Sequence, residues 1–308
     1  MKLSLYSSVA RTHPFGLHQV IRWAARFGYE QIDIRGSSLY SFAVSDNSQK
    51  TLGYDMVNPS RLSAAAREDL TTVLTDWGVG ISSISSYVPL TVSDARLKEQ
   101  AVAMLKAYVD LAVDLQCPAI RTYGNDVKSP DEYDEAFANH VVLLREIAAY
   151  AATRGVVLLI ETNENTVTPN LGAAFKVHAQ VGAQNLKIVL DAVNVYFAGT
   201  PLAELEAEVD KIDGRVAMLH VKNVQMTGGA PVAYQGSTGQ AFVWADLATG
   251  DLDWKHLLTR ARAHGFDGPV VYEYANPFKG MSEQFWDRIP PPDEAARAAA
   301  EFLRGAIA

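Results

Sequence analysis

The chain carries one cysteine, Cys117, in 308 residues. That excludes a disulfide framework and any site built from several thiolates, and it fits a reducing compartment. No apolar run approaches the ~18 residues that a membrane-spanning helix needs. The opening MKLSLYSSV is too short and too polar to read as a secretion signal. The expectation is a cytoplasmic protein with no membrane partner. Positive charge is also scarce. Lys and Arg total 27 against 35 Asp and Glu, a formal net charge of −8, so phosphate backbones are not attracted overall and a nucleic-acid partner is not expected. No glycine-rich dinucleotide fingerprint follows the first strand-like run, which counts against a doubly wound sheet. No linker, low-complexity tract or charge run divides the chain. A rule of ~150 residues per domain would suggest about two domains, but single α/β barrels reach ~250 residues and more. We therefore expect one domain over 1–308.

Eight strand-like runs alternate with helical patterns: 2–9, 29–35, 79–88, 118–123, 156–162, 186–193, 215–222 and 269–275. Several are entered through a glycine placed to stop a helix (Gly28, Gly78, Gly155, Gly214, Gly265). Near-continuous apolar strands such as VVLLI imply burial on both faces, as in parallel sheets. Between them, 93–116 and 132–154 repeat apolar residues at three- and four-residue steps, and a last helix follows the breaker Pro290–Pro292. Eight βα units in sequence predict a (β/α)8 TIM barrel. Three connections are long, 36–59, 223–252 and 276–292, after strands two, seven and eight. All fall on the C-terminal face, where barrel enzymes place their sites. Their aromatics (Tyr40, Phe42, Tyr54, Tyr234, Phe242, Trp244, Phe278, Phe285, Trp286) either pack the loops down or form a stacking wall for a sugar or aromatic ring.

Strands five to eight each end on a residue able to bind metal: Glu161, Asp191, His220 and Glu273. The first three follow one another at about the 31 residues of one βα unit, and the fourth comes one unit plus the long insertion later. The four side chains thus reach similar heights on neighbouring strands. Three carboxylates brought together repel unless a cation or protons compensate, so a divalent-metal site is expected. Its oxygen-rich ligation with one imidazole favours Mn2+ or Mg2+, with Co2+ and Zn2+ as alternatives.

The segments IETNEN, LDAVN, LHVKN and VVYEY around those residues, with TGDLDWKHLL and HGFDGPVVYEY before the last strand, resemble the sugar phosphate isomerase/epimerase superfamily, the xylose-isomerase-like barrels. The resemblance covers essentially the whole chain. It implies a divalent metal, usually manganese, held by Glu161, Asp191, His220 and Glu273, with Glu161 and Glu273 as the acid–base pair. Three departures stand out. Many relatives have a histidine where Asn194 stands and an acidic residue where Asn223 stands, and some ketose epimerases have an arginine within the region reading VQMTGGA here.

A metal chelated by a carbonyl and its neighbouring hydroxyl acidifies the proton between them, and a carboxylate in reach removes it. The expected function is a divalent-metal-dependent isomerase or epimerase of a sugar or keto-sugar, working through an enediolate. A lyase or dehydratase on an oxidised sugar, like inosose dehydratases or the subunits that cleave 3-keto C-glycosides, is the alternative on the same site. An apurinic-endonuclease-like nuclease and a non-catalytic partner-binding subunit are the competing classes. The expected partner is a small sugar-derived substrate, with a homo-oligomer or a partner subunit open.

Lys222 shares a strand face with His220, and Asn163 with Glu161. Lys222 is expected to join Glu161 and Glu273 as a catalytic residue, or else to pair with a carboxylate. Arg121, Asn163, Asn194 and His13 are candidate substrate contacts. Tyr123, Asn125, Asp33 and Arg35 either line the pocket or form a structural network. His140, His178, His256 and His264 are read as structural or solvent-facing, and Cys117 as packing.

Overall fold

In the computed structural model, residues 1–10, 16–37, 56–124, 127, 129–228, 232–234, 237–239, 241–275 and 288–307 are described. Eight parallel strands form the barrel: β1 (Lys2–Tyr6), β2 (Gln31–Gly36), β3 (Gly80–Pro89), β4 (Ala119–Tyr123), β5 (Val157–Glu161), β6 (Leu186–Asp191), β7 (Val216–Val221) and β8 (Pro269–Tyr272). Each pairs with its sequence neighbour, and β1 pairs with both β2 and β8, which closes the ring. Outside the strands lie α1 (Gly16–Phe27), α2 (Ala64–Trp77), α3 (Ala95–Asp114), α4 (Tyr133–Ala152), α5 (Leu171–Val181), the short α6 (Ala192–Phe197) and α7 (Leu205–Val209), α8 (Trp254–Ala263) and α9 (Pro292–Ile307). All eight expected strands and the helices after strands three, four and eight are present. No helix among the described residues is long and apolar enough to cross a membrane.

The strands are buried almost throughout, as a sheet with helices outside and side chains inside requires. One apolar cluster fills the space between strands and helices; a second, Tyr6, Ala119, Leu159, Val189, Met218 and Val271, packs the barrel's interior. That inner layer fixes what lies above it. Side chains alternate faces along a strand, so the residue two steps further on points inward at the C-terminal mouth: Arg121 above Ala119, Glu161 above Leu159, Asp191 above Val189, His220 above Met218 and Glu273 above Val271.

Helix ends follow local chemistry. The Ser63 hydroxyl accepts from Ala66 N to start α2, which stops at Gly78 in the left-handed region (φ 64°) that glycine enters without steric cost. Gly28, Gly155 and Gly265 also have positive φ. Gly214 does not; a turn in which Val216 N donates to Asp213 O leads into β7 instead.

The connection after β7 builds its own ribbons. Residues 223–226 pair antiparallel with 242–245, and 232–234 pair with 237–239. Phe242 and Trp244 are buried against Phe197, with ring centroids 4.8 and 5.8 Å away, so these two aromatics pack the loop down. Tyr40, Phe42, Tyr54, Phe278, Phe285, Trp286 and the Tyr234 side chain lie outside the described residues.

Candidate metal centre

Asp191 and His220 are direct partners in the β6–β7 register, and Glu161 pairs with Val189 one strand over. Their ligand atoms all lie within 4.8 Å of one another, and all three residues are buried. Oδ1 of Asp191 caps α6, accepting from Val193 N and Asn194 N at 3.0 Å each. Its Oδ2 is left over: buried, 2.8 Å from Lys222 Nζ, and in no hydrogen bond of good geometry. His220 is similar. Nδ1 lies 2.8 Å from Glu161 Oε1 and Nε2 3.8 Å from Asp33 Oδ2, yet neither ring nitrogen completes a hydrogen bond. Buried polar atoms seldom stay without partners. Here they converge from three adjacent strands as one imidazole and two carboxylates, a donor set that suits a divalent cation.

Glu273 stands apart from those three. Its Oε2 meets Lys222 Nζ at 2.6 Å, so Lys222 bridges Asp191 and Glu273. The Lys222 carbonyl accepts from Trp254 Nε1 at 2.8 Å, which fixes the backbone beneath the ammonium. Of the two readings of Lys222, pairing with carboxylates is therefore what the structure displays, and it pairs with two.

Arg121 is fully buried and ion-pairs with Glu161 through Nη1. Its guanidinium carbon sits 4.8 Å from the centre of the Tyr87 ring, whose hydroxyl is 2.9 Å from that of Tyr6. Burial works to raise the Glu161 carboxyl, but the charges of Arg121, His220 and Lys222 outweigh it and hold the group well below the usual carboxylate range. Asp191 goes the other way. Burial, with Glu273 and Glu161 adding, pushes it up to about 6 against the pull of Lys222. Burial raises Glu273 too, and Lys222 and His220 bring it below its ordinary value.

The remaining expectations divide. Asn194 turns its amide onto the Thr162 carbonyl at 3.2 Å, a bond between β5 and α6. Asn163 is half-buried on the loop after β5; its N donates to Thr168 O and its carbonyl accepts from Thr166 Oγ1. Asp33 belongs to a structural network, accepting from Ser83 Oγ at 2.5 Å and Ser85 Oγ at 2.7 Å. Arg35 lies against the Tyr87 ring. Asn223 is a buried clamp: its amide donates to Leu247 O and Leu252 O, and its Oδ1 accepts from Val224 N and Leu252 N. His140 and His178 lie in α4 and α5, His256 in α8, and His264 caps α8. The Cys117 thiol is buried and bonds the Ala119 carbonyl. His13, Asn125 and the Tyr123 side chain lie outside the described residues.

Sequence reasoning missed Glu164. It is 5% exposed, and its carboxyl feels the charges of Lys222, Asp191 and Glu161. The signal was present as a second acid in the strand-end segment ETNENTVT. Period-two counting from Glu161 selects Asn163 and skips it.

A family model described as xylose isomerase-like TIM barrel matches residues 21–306. Among curated proteins, the 3-dehydroshikimate dehydratase of Bacillus anthracis is 23% identical over 199 residues, 65% of this chain and 64% of that protein. The match thus spans slightly under two thirds of that relative's length. Among solved structures, the IolI protein with a bound zinc atom superposes with a TM-score of 0.74 at 16% identity, covering 100% of this chain and 98% of that one. The D-allulose 3-epimerase of Methylomonas sp. gives 0.73 at 16%, covering 99% and 98%. At such identities the structural likeness shows the fold.

Proposed function

Because this chain belongs to the xylose isomerase-like TIM-barrel family and is an enzyme of that kind, we propose that it acts, with a divalent metal, on a sugar-derived hydroxyketone by removing the proton beside the carbonyl. The observation that carries this reading is the convergence of Glu161, Asp191 and His220, with three buried polar atoms lacking hydrogen bonds. Those three residues would hold the ion, with manganese the first to test and Glu273 the candidate fourth ligand. The ion would supply Lewis acidity to the carbonyl and its neighbouring hydroxyl.

The chain's own groups do the rest. Glu273, ionised beside Lys222, takes the proton from the carbon next to the carbonyl. Lys222, between two carboxylates, is placed to exchange one of them for a substrate oxygen and to stabilise the enediolate. Glu161 is oriented by Arg121, which serves as a positioning residue. Asn194 likewise acts through position, by holding the β5 end to α6. Asn163 and His13 complete the proposal as candidate substrate contacts.

Returning the proton to the opposite face gives an epimer, returning it at the neighbouring carbon gives an isomer, and expelling a neighbouring hydroxyl gives dehydration. Dehydration has one point in its favour: a curated relative matched by sequence is a dehydratase, whereas the D-allulose 3-epimerase is matched through fold. Elemental analysis of the purified protein beside Asp191→Ala tests the site. About one ion per chain, lost in the variant, is expected. No metal in either protein, even after reconstitution with Mn2+ or Zn2+, would overturn it.

A further inference from the structure

Among the described residues, two carboxylate oxygens are buried without a hydrogen bond: Oδ2 of Asp191, inside the ligand set, and Oε2 of Glu164. The second is the more unusual, because the loop around it is otherwise fully braced. Thr162 Oγ1 accepts from Asp191 N at 2.9 Å. Thr168 Oγ1 donates to the Glu161 carbonyl at 2.7 Å, and Thr166 Oγ1 donates to the Asn163 carbonyl at 2.7 Å. Asn165 takes a left-handed backbone (φ 55°), a conformation asparagine tolerates better than most residues, and Val127 N donates to its carbonyl. The threonine hydroxyls are committed and the turn is held from both sides, while one oxygen of a buried acid is left for something else.

We propose that Glu164 is a second proton-handling carboxyl of this site, which donates to the oxygen leaving the carbon beside the enediolate, so that the reaction is loss of water from a polyhydroxylated ketone. This rests on the metal-enediolate reading above. Glu273 takes the carbon-bound proton, and the electron pair of that C–H bond enters the enediolate. The carbonyl re-forms as a carbon–carbon double bond is made and the neighbouring C–O bond breaks. The departing oxygen takes the proton of Glu164 and leaves as water. Glu273 ends protonated and Glu164 ionised, solvent restores both, and no oxidant or reductant is needed. Burial raises the Glu164 carboxyl to about 7, with Asp191 and Glu161 adding and Lys222 opposing, so a proton is available on it near neutrality.

The test uses manganese-loaded full-length enzyme in heavy water with two probes, 3-dehydroshikimate and D-allulose. Deuterium uptake beside the carbonyl is read by NMR and water loss by mass spectrometry. In Glu164→Gln, water loss should fall by at least about 100-fold while deuterium uptake stays within about twofold; Glu273→Gln should lose both. Glu164→Asp, which keeps an acid, should recover part of the water loss, and it replaces the Gln variant if that one does not fold. Unchanged water loss in Glu164→Gln, or equal loss of uptake and elimination, overturns the inference. So does a wild type that takes up deuterium but eliminates water from neither probe. A metal-loaded wild type that does neither overturns the reading beneath it.

Discussion

At the scale of single residues, Arg121 and Glu161 form a buried ion pair. Both are buried, and each is the other's main counter-charge. Breaking a buried pair from one side leaves an uncompensated charge, which costs about 3–5 kcal/mol. Arg121→Met should therefore lower stability by about that amount in urea unfolding. Arg121→Met with Glu161→Gln should recover part of it, and the double-mutant cycle gives the coupling directly. Additivity of the two changes would show that the pair is not coupled. Metal binding should suffer in both variants, since the guanidinium fixes where the Glu161 oxygens sit.

At the scale of elements, Asn223 ties the end of β7 to the 246–252 turn through three hydrogen bonds, to Leu247 O, Leu252 O and Leu252 N. Gly250 packs so tightly on that carboxamide that an added Cβ would overlap it. Gly250→Ala should displace the clamp, destabilise the chain by about 1–3 kcal/mol, the cost of polar groups left unsatisfied, and open 223–252 to limited proteolysis. An unchanged cleavage pattern and midpoint would show that the turn absorbs the methyl. This clamp marks where sequence reading stops. The strands were legible because burial on both faces writes continuous apolar runs, and alternation from the inner layer then places Glu161, Asp191, His220 and Glu273 at one height. The partners of those residues were not. That Lys222 spans Asp191 and Glu273, that Asn194 faces the Thr162 carbonyl, and that Asn223 is structural all depend on contacts between segments, which no local pattern encodes. Glu164 was hidden for a local reason: β5 ends at Glu161 and 164–165 form a turn, so strand periodicity no longer applies where it was being counted.

At the scale of the whole molecule, acid sensitivity has an identifiable contributor. His140 is buried in α4, neither ring nitrogen has a partner, and burial lowers its pKa to about 4. The unfolded chain binds this proton near pH 6.5 and the folded one does so only near 4. Stability from keeping the ring neutral is thus fully present above about 6.5 and is lost as pH falls toward 4, by about 3 kcal/mol in all. His140→Leu should flatten that part of the profile, so that the wild-type and variant urea midpoints, compared at pH 7 and 4.5, differ in slope. Parallel profiles would show that His140 is protonated as readily folded as unfolded.

The ring of strands joins residues from opposite ends of the sequence only at one seam, where Leu5 sits beside Tyr272. The strands bearing Glu161, Asp191 and His220 are consecutive and neighbouring. On the ribosome, all three have been synthesised once Val221 has been added, long before β8 can complete the circle. A sheet lacking β8 has two unpaired edges, β1 and β7, and some fifty residues separate the end of β7 from the end of β8, several seconds of translation at about 5–20 residues per second. The three candidate ligands are thus complete in the sequence at His220, ahead of the strand that closes the ring, and a sheet still lacking β8 carries open edges of the kind that invite edge-to-edge aggregation.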